Sequence, residues 1–465
     1  MEEIENPVKV SIILPTLNAA DYIDEAVGSV LRQSLDDIEL IVIDAGSTDG
    51  TWESLLEYQK RDNRVRLLSS KIKSVGHQSN MGLDAATGEY IGFLEDDYYA
   101  PNMCRELYDI AKANDLDWVK GDYTMFMDCR KSRYFLNVTV IRDKELKNRV
   151  FSPKDRPEIL RWDANHWKGL YRREFIEKNR IRFNETRGAA FQDTGFVWQT
   201  YIYGERCMYV DASYYFYRRD NRVSSTFSHS GLLYFLDEFE YILRITSECP
   251  NQRYFLKAMF LRAFMMLFSQ SEKLPEYSKQ AASVEDAVIK ICQYIHEAAQ
   301  QGIISRQDVT AEQWINYQVA FKSPKTFLRY YPVRKLCEDE QYKEILRLIA
   351  RYESVVLCGY GNEAKKWEMF IFCNGIVKNI FIADNNVSKQ NTRSVNGVKI
   401  VSVSEAAKKC PKALFFIPSL HNSTKSEISE QLRRIGFSSD QTCCPSLWIH
   451  PYMATTVFHT DEAGF

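Results

Sequence analysis

Short apolar runs alternate with stretches of helical period through the first half of the chain. Residues 8–14 (Val-Lys-Val-Ser-Ile-Ile-Leu) stop at Pro15-Thr16-Leu17-Asn18. Residues 21–33 then place Tyr22, Ile23, Ala26, Val27, Val30 and Leu31 on one helix face. A second run, 39–43, ends at Asp44-Ala45-Gly46-Ser47-Thr48-Asp49-Gly50-Thr51, where Ser47, Thr48 or Asp49 could cap a helix over 52–59. Residues 65–68 predict a third strand and 76–86 a helix. Residues 90–94 predict a buried strand between Gly88 and Pro101. Alternation at this pace implies βαβ units and a parallel, doubly wound sheet.

From residue 231 to about 350 the pattern becomes helical. Leu232, Phe235, Leu236, Phe239, Ile242 and Leu243 share one stripe, and Ile289, Ile291, Ile295 and Ala298 another. A new α/β unit opens at residues 355–364 (Val-Val-Leu-Cys-Gly-Tyr-Gly-Asn-Glu-Ala). Its strand ends at Gly359 and Gly361, and the next strand ends at Asp384. That spacing fits a Rossmann-type turn with a ribose-binding acid. Further elements are expected at 413–417 and 428–435. After Cys444 no clear period remains.

Composition narrows the class without deciding it. A net charge of −2 gives no electrostatic reason to expect nucleic acid. Eleven cysteines lie scattered without CxxC pairs, which reads as reduced thiols in a cytosolic protein. The acidic start is unlike a signal peptide, and no apolar run reaches 18 residues.

The chemistry concentrates at Glu95-Asp96-Asp97, three acids directly after the buried strand. At the carboxyl end of a sheet strand, where ligands dock, they would sit well with a hard divalent cation, Mg²⁺ or Mn²⁺, bridging to a diphosphate. A solvated acidic turn is the competing reading. Asp44, also at a strand end, could accept from a base or ribose, or serve as a turn residue. Neither GxGxxG nor GxxxxGK[ST] occurs in this half.

Three segments together, Ser-Ile-Ile-Leu-Pro-Thr-Leu-Asn, Val-Ile-Asp-Ala-Gly-Ser-Thr-Asp-Gly-Thr and the run from Asn80 to Asp97, resemble the family 2, GT-A-fold inverting glycosyltransferases. The resemblance covers roughly residues 8–225. It implies a nucleotide-diphosphate-sugar donor, UDP-sugar favoured, and a divalent metal, Mn²⁺ or Mg²⁺. It implies Pro15, Thr16, Asn18 and Asp44 around the nucleoside, with Asn80 helping to hold the donor. Glu95-Asp96-Asp97 stands where the family has D-x-D, with Asp97 on the metal and Glu95 toward the ribose. Leu17, Ser79 and Glu95 depart from residues common at those places.

Downstream, residues 162–175 resemble the segment leading to the family's base. Phe191-Gln192-Asp193 stands where Glu-Asp is usual, so the resemblance makes Asp193 the catalytic base, with Asp163 and His166 the next candidates. A helix cap is the alternative role for Asp193. Residues 214–226 resemble the strand and loop near the donor diphosphate, where Arg218, Arg219 or Arg222 could clamp phosphate. The C-terminal unit is similar to Rossmann-like modules attached to bacterial surface-polysaccharide enzymes, and a bound dinucleotide is not expected there.

The expected organisation is a GT-A domain over 1–228, a helical connector over 229–350, a Rossmann-like α/β module over 351–445 and a tail over 446–465. The expected function is metal-dependent inverting transfer of a sugar to a glycan or lipid-linked saccharide in surface polysaccharide synthesis. The protein would be cytoplasmic, with peripheral contact at the inner membrane face and self-association both compatible. Two alternatives share the fold: an inactive sugar-nucleotide sensor or scaffold, and a sugar-phosphate nucleotidyltransferase.

Overall fold

The computed structural model describes residues 7–129, 132–221, 230–274, 281–375, 377, 379–447 and 449. The chain divides into two compact units. The first comprises Met1–Tyr123, Thr139–Tyr217 and Asn221–Arg334. The second comprises Thr124–Val138, Arg218–Asp220 and Lys335–Phe465.

The first unit starts as the alternation requires, with β1 (Val10–Thr16), α1 (Ile23–Leu31), β2 (Ile38–Asp44), α2 (Thr51–Arg61), β3 (Val65–Ser69), α3 (Val75–Ala85) and β4 (Tyr90–Phe93). There follow β5 (Tyr98–Tyr99), α4 (Met103–Ala113), β6 (Trp118–Cys129), β7 (Ser132–Val138), β8 (Gly169–Arg172), α5 (Arg173–Lys178), α6 (Gln192–Tyr203) and β9 (Cys207–Arg218). The strand order is β3-β2-β1-β4-β8-β6-β9-β5, with β7 paired to β6. Pairing is parallel across β3, β2, β1 and β4. It turns antiparallel at β8 and again where β5 meets β9. The expectation of a parallel sheet therefore holds for β3, β2, β1 and β4 alone. Every residue of β1, β2 and β4 is buried, consistent with helices covering both faces of these strands.

The helical stripes become α7 (Gly231–Ile245), α8 (Gln252–Ser271), α9 (Ala281–Gln300), α10 (Ala311–Lys322) and α11 (Pro324–Ala350). Phe235, Phe239, Phe264, Ile291 and Ile295 are buried, as the periodicity requires. No described helix is long and apolar enough to cross a membrane.

The second unit carries β10 (Ser354–Cys358), α12 (Asn362–Asn374), β11 (Asn379–Ala383), β12 (Ile400–Val401), α13 (Val403–Lys409), β13 (Leu414–Phe416), α14 (Asn422–Ile435) and β14 (Thr442–Cys443). Its sheet, β12-β11-β10-β13-β14, is parallel throughout. Residues 124–138, a hairpin absent from the sequence reading, also belong to this unit. Tyr134 stacks on Phe372 at 4.6 Å, and the amide of Phe135 donates to Asn396 Oδ1 at 2.8 Å.

Candidate active site

Two loops at the carboxyl ends of β1 and β2 are laced together. Asn18 takes a left-handed backbone (φ 53°), its amide donates to Ser47 Oγ at 2.8 Å, and its Oδ1 accepts from the Thr48 amide at 2.9 Å. The Ala20 amide donates to Asp49 Oδ2 at 3.0 Å. The helix cap is not one of the three side chains considered. Gly50, at φ 100°, occupies the cap position of α2, while Asp49 Oδ1 accepts from the Thr51 amide.

Asp44 is buried at the end of β2. Its Oδ2 accepts from the amides of Gly46 and Ser47, and Ser47 Oγ donates to Oδ1. Gln78 Nε2 donates to the carbonyls of Thr16 and Ile43, fastening α3 to both strand ends. Pro15 is buried in β1, and the buried Thr16 Oγ1 has no hydrogen-bond partner among the described residues. Asn80 reaches a different neighbour: its side chain bonds the Phe183 amide and carbonyl and Glu185 Oε1.

The acids after β4 differ in environment. Asp97 is buried and accepts from Tyr215 Oη at 2.6 Å. Asp96 Oδ2 accepts from Asn221 Nδ2 at 3.1 Å. Glu95 is half-buried, and its carboxyl is held well above the usual carboxylate range by lost hydration and then by Asp97, Asp193 and Asp96. The fold therefore brings Asp193, 98 positions beyond Glu95, into one electrostatic neighbourhood with the acidic segment.

Asp193 lies in the first turn of α6. Phe191, just before it, holds φ 68°, strained backbone for a phenylalanine, with its ring edge-on to Phe235 of α7 at 5.7 Å. Asp193 Oδ1 accepts from the Thr194 amide at 2.8 Å, so a capping role coexists with any other. Burial pushes its carboxyl up to about 6, against the pull of Thr194 and the positive Arg262 of α8. That value suits proton transfer near neutral pH. Gln192 spends its amide on Thr186 and the Gly188 carbonyl.

The reserve bases are placed elsewhere. Asp163 is fully buried, with Lys120 Nζ at 3.0 Å and Lys168, Tyr201 and Tyr209 also bonding it. Although burial opposes it, the two lysines hold the carboxyl below its ordinary range. His166 is buried against Phe93 and Phe183, neither ring nitrogen meets a hydrogen-bond partner, and burial pushes it down to about 3. Neither is arranged to take a proton from a ligand. Both had looked plausible because chain position says nothing about who surrounds a side chain.

Arg218 and Arg219 are buried in the second unit, and Arg218 lies 3.5 Å from Asp128 and 3.4 Å from Asp220. Arg222 lies outside the described residues. In the second unit, Asp384 Oδ2 accepts from the Tyr360 amide at 2.7 Å and from Lys389 Nζ at 2.9 Å. The acid marked out for a ribose is thus engaged by its own turn.

Among the described residues no group of three or more His, Cys, Asp or Glu side chains is disposed to hold a metal ion. The donor chemistry of Glu95, Asp96 and Asp97 nevertheless fits a hard cation: all oxygen, and with only negative charges acting on Glu95. Sequence reasoning missed Tyr215 and Glu238. The signal for Glu238 was there, a carboxylate on the apolar stripe between Phe235 and Ile242.

Residues 11–180 match the profile described as Glycosyl transferase family 2. The glycosyltransferase EpsJ of Bacillus subtilis is 34% identical over 221 residues, which cover 45% of this chain and 61% of that protein. The cholesterol galactosyltransferase of Borreliella burgdorferi is 28% identical over 312 residues, 62% of this chain and 85% of that one. Among solved structures, residues 1–349 of TarS from S. aureus superpose with a TM-score of 0.52 at 18% identity, covering 72% of this chain and 91% of that one. The chain thus spans only about three-fifths of EpsJ. With a half-parallel sheet whose strand ends carry the loops and acids described above, residues 11–180 match the glycosyl transferase family 2 profile on a GT-A fold.

Proposed function

We propose that the chain is a metal-dependent, inverting glycosyltransferase. It moves a sugar from a nucleotide-diphosphate-sugar donor, UDP-sugar favoured, to a glycan or lipid-linked saccharide in surface polysaccharide synthesis. The observation that carries this reading is the meeting of Asp193 with the acidic segment after β4. A base and a cation-seeking cluster share one neighbourhood, as displacement of a diphosphate requires.

In this reading Pro15, Thr16, Asn18 and Asp44 surround the nucleoside, and the laced loops of β1 and β2 preorganise them. Asn80, Asp96 and Glu95 contact the donor, and Arg218 or Arg222 meets the diphosphate. Asp97, with Glu95 beside it, would hold Mn²⁺ or Mg²⁺, which when bound neutralises charge on the departing phosphates. Asp193 takes the proton of the acceptor hydroxyl as that oxygen attacks the anomeric carbon from the face opposite the leaving diphosphate. A relative named a cholesterol galactosyltransferase lends support to a lipid among the acceptors considered. Catalysis is assigned to residues 1–228, followed by the helical connector (229–350), the Rossmann-like module (351–445) and the tail.

The test is hydrolysis of a panel of UDP- and GDP-sugars with Mn²⁺ or with EDTA, for the wild type and for Asp193→Asn. One donor should be cleaved in Mn²⁺ and spared in EDTA. Asp193→Asn should lose about 10²–10⁴-fold in rate with donor affinity by calorimetry unchanged. Full activity in EDTA, or an active Asp193→Asn, overturns the assignment. Donor binding without any cleavage favours the inactive sensor.

A further inference from the structure

Glu238 belongs to α7, beyond the stretch that matches the family, and is 1% exposed. Its Oε2 accepts from Asn184 Nδ2 at 3.0 Å, while Oε1 meets no well-aligned donor among the described residues and faces the backbone amide of Gly195. Oε1 lies where a side chain of Gly195 would begin: a Cβ on Gly195 would fall 1.8 Å from it. Gly195 is the fourth residue of α6, two after Asp193.

The same pinch recurs on the other side of Asn184, whose carbonyl oxygen lies 1.9 Å from where a Cβ of Gly76 would stand in α3. An Asn–Glu pair is therefore clamped between two glycines, one on α3 and one on α6. Phe235 of α7, one turn before Glu238, packs on the strained Phe191, and Phe239 packs on Trp198 at 6.1 Å. The first two turns of α6, with Phe191 before them, are thus held from α7 at three points.

Burying a carboxyl oxygen against a single poorly aligned amide costs stability. A hydrophobic side chain would have filled the stripe without that cost. We propose that Glu238 is a positioning residue for the catalytic base, its carboxyl wedged over Gly195 and tied to Asn184 so that the first turn of α6 presents Asp193 at one fixed height. The inference rests on the reading of Asp193 as the base. Burial pushes Glu238 up to about 8, with Asp193 adding to the effect, so it is neutral at physiological pH and adds no charge beside the base. Asp237 and Tyr241 on its own helix also face Glu238. Asp193 itself faces Glu95, Tyr171 of β8, Arg262 of α8 and Glu238.

The test uses the full chain and the panel sugar that wild type hydrolyses fastest. Glu238→Ala should open water to α6, lower kcat at least tenfold with donor KM within twofold, and move the acid midpoint of kcat down from about 6 toward the ordinary carboxylate value. Glu238→Gln keeps the shape without the charge, and should restore both kcat at pH 7 and the midpoint. Asn184→Ala, the milder variant if Glu238→Ala does not fold, should move both quantities the same way by less. A purely structural role would lower Tm and leave the midpoint in place. With Asp193→Asn inactive, an unchanged kcat and midpoint in Glu238→Ala or Asn184→Ala overturns this inference alone. An active Asp193→Asn overturns the base reading and the inference with it.

Discussion

Tyr215, on β9, donates its hydroxyl to Asp97 Oδ2 at 2.6 Å, and Trp167 stacks on the tyrosine ring at 4.1 Å. One carboxylate oxygen is thus fixed by a phenol that is itself locked by an indole. If Asp97 holds the metal, Tyr215 orients that ligand. Tyr215→Phe should weaken Mn²⁺ in the presence of UDP by roughly 10–100-fold, the usual loss for an outer partner of a metal ligand. Asp97→Asn should abolish the Mn²⁺ dependence of UDP binding. Calorimetric titration of Mn²⁺ checks both, and unchanged affinity in Tyr215→Phe would remove the tyrosine from this role.

If Asp193 is the base, the pH profile follows from it. A general base must be ionised, and burial keeps its proton up to about 6. Donor hydrolysis should therefore fall about tenfold per unit below that midpoint and level off above it. A profile flat down to pH 4.5 would show that this carboxyl does not limit the rate.

Glu238 leaves a signature in stability. Its folded-state value, about 8, lies above the ordinary value of about 4.3. The folded chain therefore holds this proton where the unfolded chain has lost it. The contribution is fully present below the unfolded value and is lost as pH rises through the folded one. Wild type should lose Tm relative to Glu238→Gln between about pH 4.3 and pH 8, the window between these values. Parallel Tm curves for the two would mean that Glu238 is ionised throughout.

Asp163 supplies the opposite case. Lys120, Lys168 and Asp163 are each buried, so removing the one negative charge leaves two buried ammonium groups without a counter-ion. Asp163→Asn should cost about 3–5 kcal/mol in chemical denaturation. A stability within about 1 kcal/mol of wild type would show that water reaches the cluster.

Much of this was legible because it is local. Three apolar runs, stopped by Pro15, Asp44 and Glu95, set β1, β2 and β4, since a strand buried on both faces needs unbroken apolar sequence. The helical stripe through Phe235, Phe239 and Ile242 set α7 in the same way. The hairpin of residues 124–138 was missed because its partners, Phe372 and Asn396, lie more than 230 positions downstream.

The sequence by itself determined the order of elements and the residue types delivered to the carboxyl ends of the strands, because propensity and periodicity act over a few neighbours. Resemblance put Asp193 forward as the base, with Asp163 and His166 next, but residue type alone did not distinguish the two carboxylates. Only the tertiary structure decided between their environments. Packing ringed Asp163 with two lysines and two tyrosines, and set Asp193 at a helix start where its charge acts on Glu95 and Glu238. The physical reason is that a carboxyl's proton affinity depends on its loss of water and on charges brought from distant parts of the chain, and neither is a property of its neighbours in sequence.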